Sequence, residues 1–304
     1  MVRVFVAFFL VSCFLAACQK KITTTPREYA MLSAHVYDDN EVDLPEKFHP
    51  FLDFNKKDYS HQFNIDLNKI WKLAEDEDWG SLIPYIGVKA FSRGGYFGRA
   101  YSIKNTNQII IAHRGTDLDI KINELSLDQL SLVFEDGKFW DFLMDMDDDY
   151  DIFEGKIPQQ QFQAAQFFVG QVKKEFIEKH QTEPEIIHTG HSLGAVLAEL
   201  CAVKDNSTAI TFESPGSKPL ASQLSDIEGV NLAKVKIKTY NAEPNQINSL
   251  HEHLGDVVWL YDTNQKQSLQ SDAAKVLSLK QHPIKELIKK FDETTGEPKD
   301  LKSR

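Results

Sequence analysis

The chain has 304 residues, of which 42% are hydrophobic, 11% aromatic and 26% charged, enough apolar side chain for a sizeable core. That composition excludes a disordered, collagen-like or polytopic membrane protein. Asp and Glu (45) outnumber Lys and Arg (34), so the net charge is −11; with no basic block to offset it, nucleic acid is not an expected partner. Three cysteines are too few for a disulfide framework.

The first eighteen residues read as an address. One positive charge, Arg3, precedes an apolar run from Val4 to Ala17. That run is too short to cross a bilayer as a helix, which needs about 20 residues. Its length and flank fit a secretory signal. It ends in Leu15-Ala16-Ala17-Cys18, which resembles a bacterial lipoprotein box. The resemblance implies a signal peptide over residues 1–17 and acylation of the Cys18 thiol. Several acyl chains on one residue anchor a protein stably, where a single chain anchors it only marginally. Gln19, standing where Asp would retain such a protein, implies the outer membrane of the bacterial cell envelope. An ordinary signal peptide with an incidental cysteine and a buried N-terminal helix are the alternatives. Cys13 leaves with the signal, so Cys18 and Cys201 remain and no intrachain disulfide is expected.

Residues 18–27, polar with three threonines and a proline, read as a tether, and 28–304 as a single domain. Tyr29 to Tyr37 has the apolar spacing of a helix. Residues 38–80 are polar and irregular, with weak helix over Asn68–Glu75. Strand candidates lie between Gly87 and Ala112, the clearest being Gln108–Ala112. Pro158–Lys179 is a long amphipathic helix with Phe162, Ala165, Phe168, Val169, Val172 and Phe176 on one face. Strands and helices then alternate: strand Glu185–Thr189, helix Leu193–Val203, strands Ala209–Glu213, Val235–Tyr240 and Val257–Tyr261, and a final helix Ile284–Phe291. This alternation predicts an α/β fold with a mostly parallel sheet flanked by helices.

The sharpest motif is Gly190-His191-Ser192-Leu193-Gly194, a G-x-S-x-G pattern. Alone it is a weak signal. Here an apolar strand, EIIHT, precedes it and an Ala/Leu-rich helix, AVLAELCAV, follows it. That order is what a nucleophile elbow requires, because the serine sits on a strained strand-to-helix turn. Gly190 and Gly194 let the turn pack closely, and the Leu193 N–H falls at a helix N-terminus, where it can donate to an oxyanion.

These residues carry a resemblance to a family. GHSLG with its Ala-rich helix, His113-Arg114-Gly115-Thr116 after an apolar strand, and the helix of Tyr29–Tyr37 resemble the class 3 (fungal-type) lipases. Trp140-Asp141-Phe142-Leu143-Met144-Asp145 and Thr211-Phe212-Glu213-Ser214-Pro215-Gly216 resemble two further segments of that family. The resemblance runs from about residue 29 to 291. It implies an α/β-hydrolase-like fold, with Thr116 supplying a second oxyanion N–H and Arg114 ordering its loop. It also implies a serine hydrolase of carboxylic esters, a lipase or phospholipase acting on a lipid ester without a cofactor.

The base and the acid are less plainly written. Chain order in this fold is Ser, acid, His, which leaves His251, His253 and His282 as bases. His282 starts the last helix and matches the family's C-terminal histidine, so it is the expected base. His251-x-His253 has no third ligand spaced for zinc, and no metal is expected. The family has an Asp-x-Val-Pro segment after the strand that here is Val235–Tyr240. This chain reads Asn241-Ala-Glu-Pro-Asn-Gln-Ile-Asn248, which puts Asn245 where the Asp should be. Asn245 is the expected third member, with Glu243 and the more distant Asp256 as alternatives. An amide orients a histidine but does not stabilise its charged form, so a non-catalytic surface lipoprotein, binding lipid or a partner through the same fold, stays open as the alternative function.

Two segments remain. Residues 120–134 are rich in Ile and Leu and follow the oxyanion segment, where the family carries a mobile lid; a helix packed permanently on the core is the competing reading. Asp145, Asp147, Asp149 and Asp151 alternate like the start of a calcium loop, but Tyr150 replaces its glycine and Lys156 its glutamate, so a solvated acidic loop is expected.

Overall fold

The structure, a computed structural model, describes residues 23–37, 42–54, 96–115, 150–245, 247–260 and 282–299. Its strands form one seven-stranded sheet in sequence order: β1 (Phe48–Asp53), β2 (Gly98–Ile103), β3 (Gln108–His113), β4 (Glu185–His191), β5 (Thr208–Phe212), β6 (Lys236–Asn241) and β7 (Asp256–Trp259). β1, β2 and β3 pair antiparallel; β3 through β7 are parallel. The expected α/β class with a mostly parallel sheet is therefore present.

Alternation along the strands divides two apolar cores. On one face Ile109, Ile111, Ile186 and Ala209 pack against α3 (Gln159–His180), α4 (Leu193–Asp205) and α5 (Lys218–Glu228). On the other, Ile110, Ala112, Ile187 and Phe212 pack against α1 (Pro26–His35) and the segment opened by α6 (Ile284–Ile288). A single turn, α2 (Tyr150–Phe153), precedes α3. All six apolar positions predicted for the face of α3 are buried. Each of its phenylalanines contributes roughly 1.5–3 kcal/mol by leaving water.

Three sequence expectations need correction. The first helix starts at Pro26, inside the expected tether, because Thr25 and Glu28 close a capping box: Glu28 N donates to Thr25 Oγ1 at 3.3 Å, and Thr25 N to Glu28 Oε2 at 2.7 Å. The stretch expected to be irregular contains β1. Its proline and a register break between Pro50 and Leu52 hide it, features that an edge strand tolerates. The last helix ends at Ile288, and Phe291 instead bridges Pro298. The segment 120–134, Trp140–Asp145 and the acidic positions Asp145, Asp147 and Asp149 lie outside the described residues.

One polar chain crosses the core on the α3/α4 face. Tyr96 Oη meets His113 Nδ1 at 3.0 Å, and His113 Nε2 meets His188 Nδ1 at 3.0 Å. His188 Nε2 then faces Asp205 Oδ2 at 3.6 Å, and Lys173 Nζ donates to Asp205 Oδ1 at 3.0 Å. Burial pushes both imidazoles below the ordinary histidine range; His188 adds to this at His113, while Asp205 partly offsets it at both rings.

That direction fixes a pH dependence. A histidine whose folded pKa is depressed stabilises the fold fully above about pH 6.5, and this is lost as pH falls, because the unfolded chain takes up the proton first. Urea unfolding is therefore expected to show falling stability from pH 7.5 to 5.5, by up to about 1.4 kcal/mol per pH unit for each histidine. In the His188→Asn variant the slope should be shallower; a profile unchanged by the substitution would contradict the assignment.

Candidate active site

The site begins at the turn between β4 and α4. Ser192 has φ 57° and ψ −127°, a region that non-glycine residues rarely occupy. It stands at the N-cap of α4 yet makes no side-chain cap bond. A capping serine ordinarily contributes about 1 kcal/mol; here the strained backbone turns Oγ away from the helix instead. The turn is possible because its glycines are small. A Cβ on Gly190 would overlap the Gly194 carbonyl, and one on Gly194 would overlap the His113 carbonyl.

Oγ of Ser192 lies 3.0 Å from Nε2 of His282. The partner on the other side of the ring is Glu213: its Oε2 is 3.1 Å from His282 Nδ1. All three side chains are buried. With the ring proton on Nδ1 donated to Glu213, the Nε2 lone pair is left to accept the Ser192 hydroxyl proton. The chain order is Ser192, Glu213, His282, as this fold requires.

The structure thus brings Ser192 and His282 together and corrects the third position. Asn245 does not meet the histidine. Its Nδ2 donates to Glu213 Oε2 at 3.1 Å, and Asn248 Nδ2 donates to the same oxygen at 2.9 Å. Ala242 N donates to Glu213 Oε1. The Asn245 Oδ1 is occupied as well, accepting from the N–H groups of Ile247 and Asn248 at 2.9 and 3.0 Å. Asn245 therefore belongs to a collar of amides around the carboxylate. Glu243 gives that collar only its backbone carbonyl among the bonds described, and Asp256 is exposed at the start of β7.

Glu213 follows β5 directly, with φ 50°. β5 is the parallel neighbour of β4, so their C-terminal ends place Glu213 and Ser192 side by side. The sequence reading missed Glu213 by searching one strand later. The available signal was a lone carboxylate directly after the apolar strand TAITF.

Several contacts hold this arrangement. His191 Nε2 donates to the backbone carbonyl of His282 at 2.8 Å, fixing the loop that carries the base. Gly115 N donates to Tyr37 Oη at 3.1 Å, and that hydroxyl donates to the His191 carbonyl at 3.4 Å, tying the His113–Gly115 segment to the elbow. Leu193 is the first residue of α4, so its N–H is one of the unpaired donors at the positive end of the helix. Thr116, expected to give the second oxyanion donor, lies outside the described residues. The other two base candidates are engaged elsewhere: His251 Nε2 donates to the Ile152 carbonyl at 2.7 Å, and His253 Nε2 to the Asn248 carbonyl at 2.9 Å.

Chemically, a hydroxyl, an imidazole and a carboxylate in this order form a nucleophile with its own base. Covalent labelling of Ser192 by a serine-directed fluorophosphonate tests the order of roles. Glu213→Gln is expected to slow labelling by 10²-fold or more; the matching carboxylate-to-amide change in a serine protease costs about 10⁴-fold in turnover. Asn245→Asp is expected to slow labelling too, because it sets a second carboxylate against Glu213 and removes an amide donor. Faster labelling in Asn245→Asp would return the acid's role to position 245.

An uncharacterized protein of Rickettsia prowazekii (strain Madrid E) is 33% identical over 103 residues, covering 28% of this chain and 27% of the relative, so the match spans about a quarter of that protein's length. Among solved structures, lipase II from Rhizopus niveus aligns with 14% identity and a TM-score of 0.39 over 77% of this chain and 78% of that one. The Lip2 lipase of Yarrowia lipolytica gives 14% and 0.39 over 77% of each, and a Rhizomucor miehei lipase with its propeptide 13% and 0.41 over 86% and 77%. Residues 110–212, which hold most of β3, the Ser192 elbow and β5 and stop one residue short of Glu213, match the family model of the class 3 lipases.

Proposed function

We propose that the chain is a lipid-anchored serine hydrolase of the class 3 lipase kind, cleaving carboxylic esters of lipids through an acyl-enzyme. The observation that carries this reading is the Ser192–His282–Glu213 alignment, with hydrogen-bond distances of 3.0 and 3.1 Å on the two sides of the imidazole. The class 3 lipase match over residues 110–212 supports the substrate class.

In this mechanism His282 Nε2 takes the Ser192 proton as Oγ attacks the ester carbonyl carbon. The carbonyl oxygen gains the negative charge and is held by the Leu193 N–H, with Thr116 as second donor. Glu213 stabilises the imidazolium that forms. His282 then gives its proton to the leaving alcohol, and the acyl group stays on Oγ. A water, deprotonated by the same Nε2, attacks the acyl carbon and restores the serine hydroxyl. The alternative, a non-catalytic lipoprotein, rests on the lack of a carboxylate at position 245; Glu213 beside His282 argues against it.

Hydrolysis of a short-chain nitrophenyl ester tests the reading. Ser192→Ala is expected to lower kcat by roughly 10³-fold or more with the fold intact, since it removes the nucleophile. Unchanged hydrolysis by the purified variant would overturn the proposal.

The anchor rests on the N-terminal sequence: Arg3, the apolar run and the Leu15–Cys18 box. Acylated Cys18 would hold the domain to the bacterial envelope, in the outer membrane by the Gln19 criterion. Among the described residues no helix is long and apolar enough to cross a membrane. Cys18→Ser is expected to move the protein from the membrane pellet to the soluble fraction after a high-salt wash. A variant that still sediments with membranes would refute acylation at Cys18.

A further inference from the structure

The polar chain behind the elbow contains a set of donors that the ester chemistry does not use. His113 ends β3, His188 lies in β4 and Cys201 lies in α4. One ligand atom from each, all fully buried, lies within 4.8 Å of the other two. The two imidazole nitrogens that face each other, His113 Nε2 and His188 Nδ1, are 3.0 Å apart.

We propose that His113, His188 and Cys201 form a buried transition-metal site whose matched occupant is monovalent copper. Two imidazoles and one thiolate are the trigonal donor set associated with copper, and the thiolate selects soft ions. A trigonal ion with ordinary N- and S-bond lengths sets donor separations of roughly 3.5–3.8 Å. The ligands therefore reach bonding geometry by movements of about 1 Å or less.

The surroundings are built as the outer shell of a metal site is built. Metal-bound histidines pass their second ring nitrogen to an outer partner. His113 Nδ1 meets Tyr96 Oη at 3.0 Å. His188 Nε2 faces the Asp205 carboxylate at 3.6 Å, and neither of those two atoms has another hydrogen-bond partner among the described residues. Lys173 fixes the carboxylate from outside.

Charge decides between ions. Asp205 and Lys173 balance each other. A thiolate with a monovalent ion leaves the buried set neutral, whereas a divalent ion leaves one positive charge in an apolar core, which is costly. Binding is a substitution without redox change: the Cys201 S–H bond breaks, the S–Cu bond forms and one proton leaves to solvent, while the ring proton shared between His113 Nε2 and His188 Nδ1 moves to the outer nitrogen of the same ring, where Tyr96 Oη or the Asp205 carboxylate accepts it. Burial and the Asp205 charge push the free thiol well above its usual range, so the proton stays until a cation displaces it. Metal-bound imidazoles must be neutral, and full burial disfavours the charged form of both rings. An ion here would staple β3 and β4 to α4, the elements that carry the elbow.

The test is a competition titration of the full chain in detergent, refolded anaerobically with copper(I) and a chromophoric copper(I) chelator. One equivalent is expected to resist the chelator beyond whatever the Cys201→Ser variant retains, a subtraction that removes Cys13 and Cys18. His188→Asn should weaken retention at least 100-fold, and Asp205→Asn by about 10–100-fold through the outer shell. Equal retention by wild type and Cys201→Ser overturns the site. Tighter holding of zinc(II) than of copper(I) overturns the copper assignment. Should Cys201→Ser fail to fold, X-ray absorption on the copper-loaded wild type decides: two nitrogens and one sulfur support the site, and a shell without sulfur overturns it.

Discussion

The strained turn at Ser192 is the constraint on which the rest of the site depends. A residue with φ 57° and ψ −127° costs on the order of 1–3 kcal/mol and persists only where its surroundings over-determine it. Here they do. β4 is hydrogen-bonded on both sides, to β3 and to β5, and Ser192 N donates to the Phe212 carbonyl at 3.0 Å. α4 cannot slide toward the strand because Gly190 and Gly194 already bring backbone against backbone. The strain points a hydroxyl out of the helix cap and toward an imidazole, so a local cost in stability becomes a reactive group at a fixed place.

Around that turn the positions of charge are tightly controlled. Glu213 is the carboxylate in contact with the base, and it is fully buried. A buried carboxylate without partners would be prohibitive. Three N–H donors from the loop after β6, together with His282, give it partners, and hydrogen bonds to charged groups each contribute about 1.5–3 kcal/mol. The same donors set its rotamer, so the loop carrying Asn245 and Asn248 acts on His282 only through Glu213. A side chain that touches neither substrate nor base can thus sit where a family pattern leads one to expect the acid.

The second polar system, from Tyr96 to Lys173, lies on the opposite side of β4 from α1, within the core that α3 and α4 cover. His188 and Thr189 are adjacent in sequence and face opposite cores. Thr189 Oγ1 lies 2.9 Å from Ser33 Oγ of α1, while His188 joins the histidine pair. The sheet therefore keeps the two polar systems apart: titration or ligation behind β4 reaches the triad through the backbone of the elbow, not through a side-chain contact with His282.

Much of this was legible in the sequence because it is local. Apolar spacing of 3.6 residues identified α3 and its buried face, and the strand–GHSLG–helix order identified the elbow and Ser192. The resemblance to the class 3 lipases pointed to His282, which the structure sets beside Ser192. Other features depend on which strands become neighbours, and no window of sequence contains that. The sheet order 4-5-6 puts the residue after β5 beside the nucleophile, so Glu213 displaced the expected Asn245. Pro50 disguised β1, whose place is secured by pairing with β2 rather than by its own propensity. The histidine pair and Cys201 follow no ligand spacing along the chain. They meet because parallel register sets His113 opposite Gly190, two residues beyond His188, and α4 folds back over both strands. Chemical identity and local geometry are written residue by residue; proximity across the sheet exists only after the chain has folded.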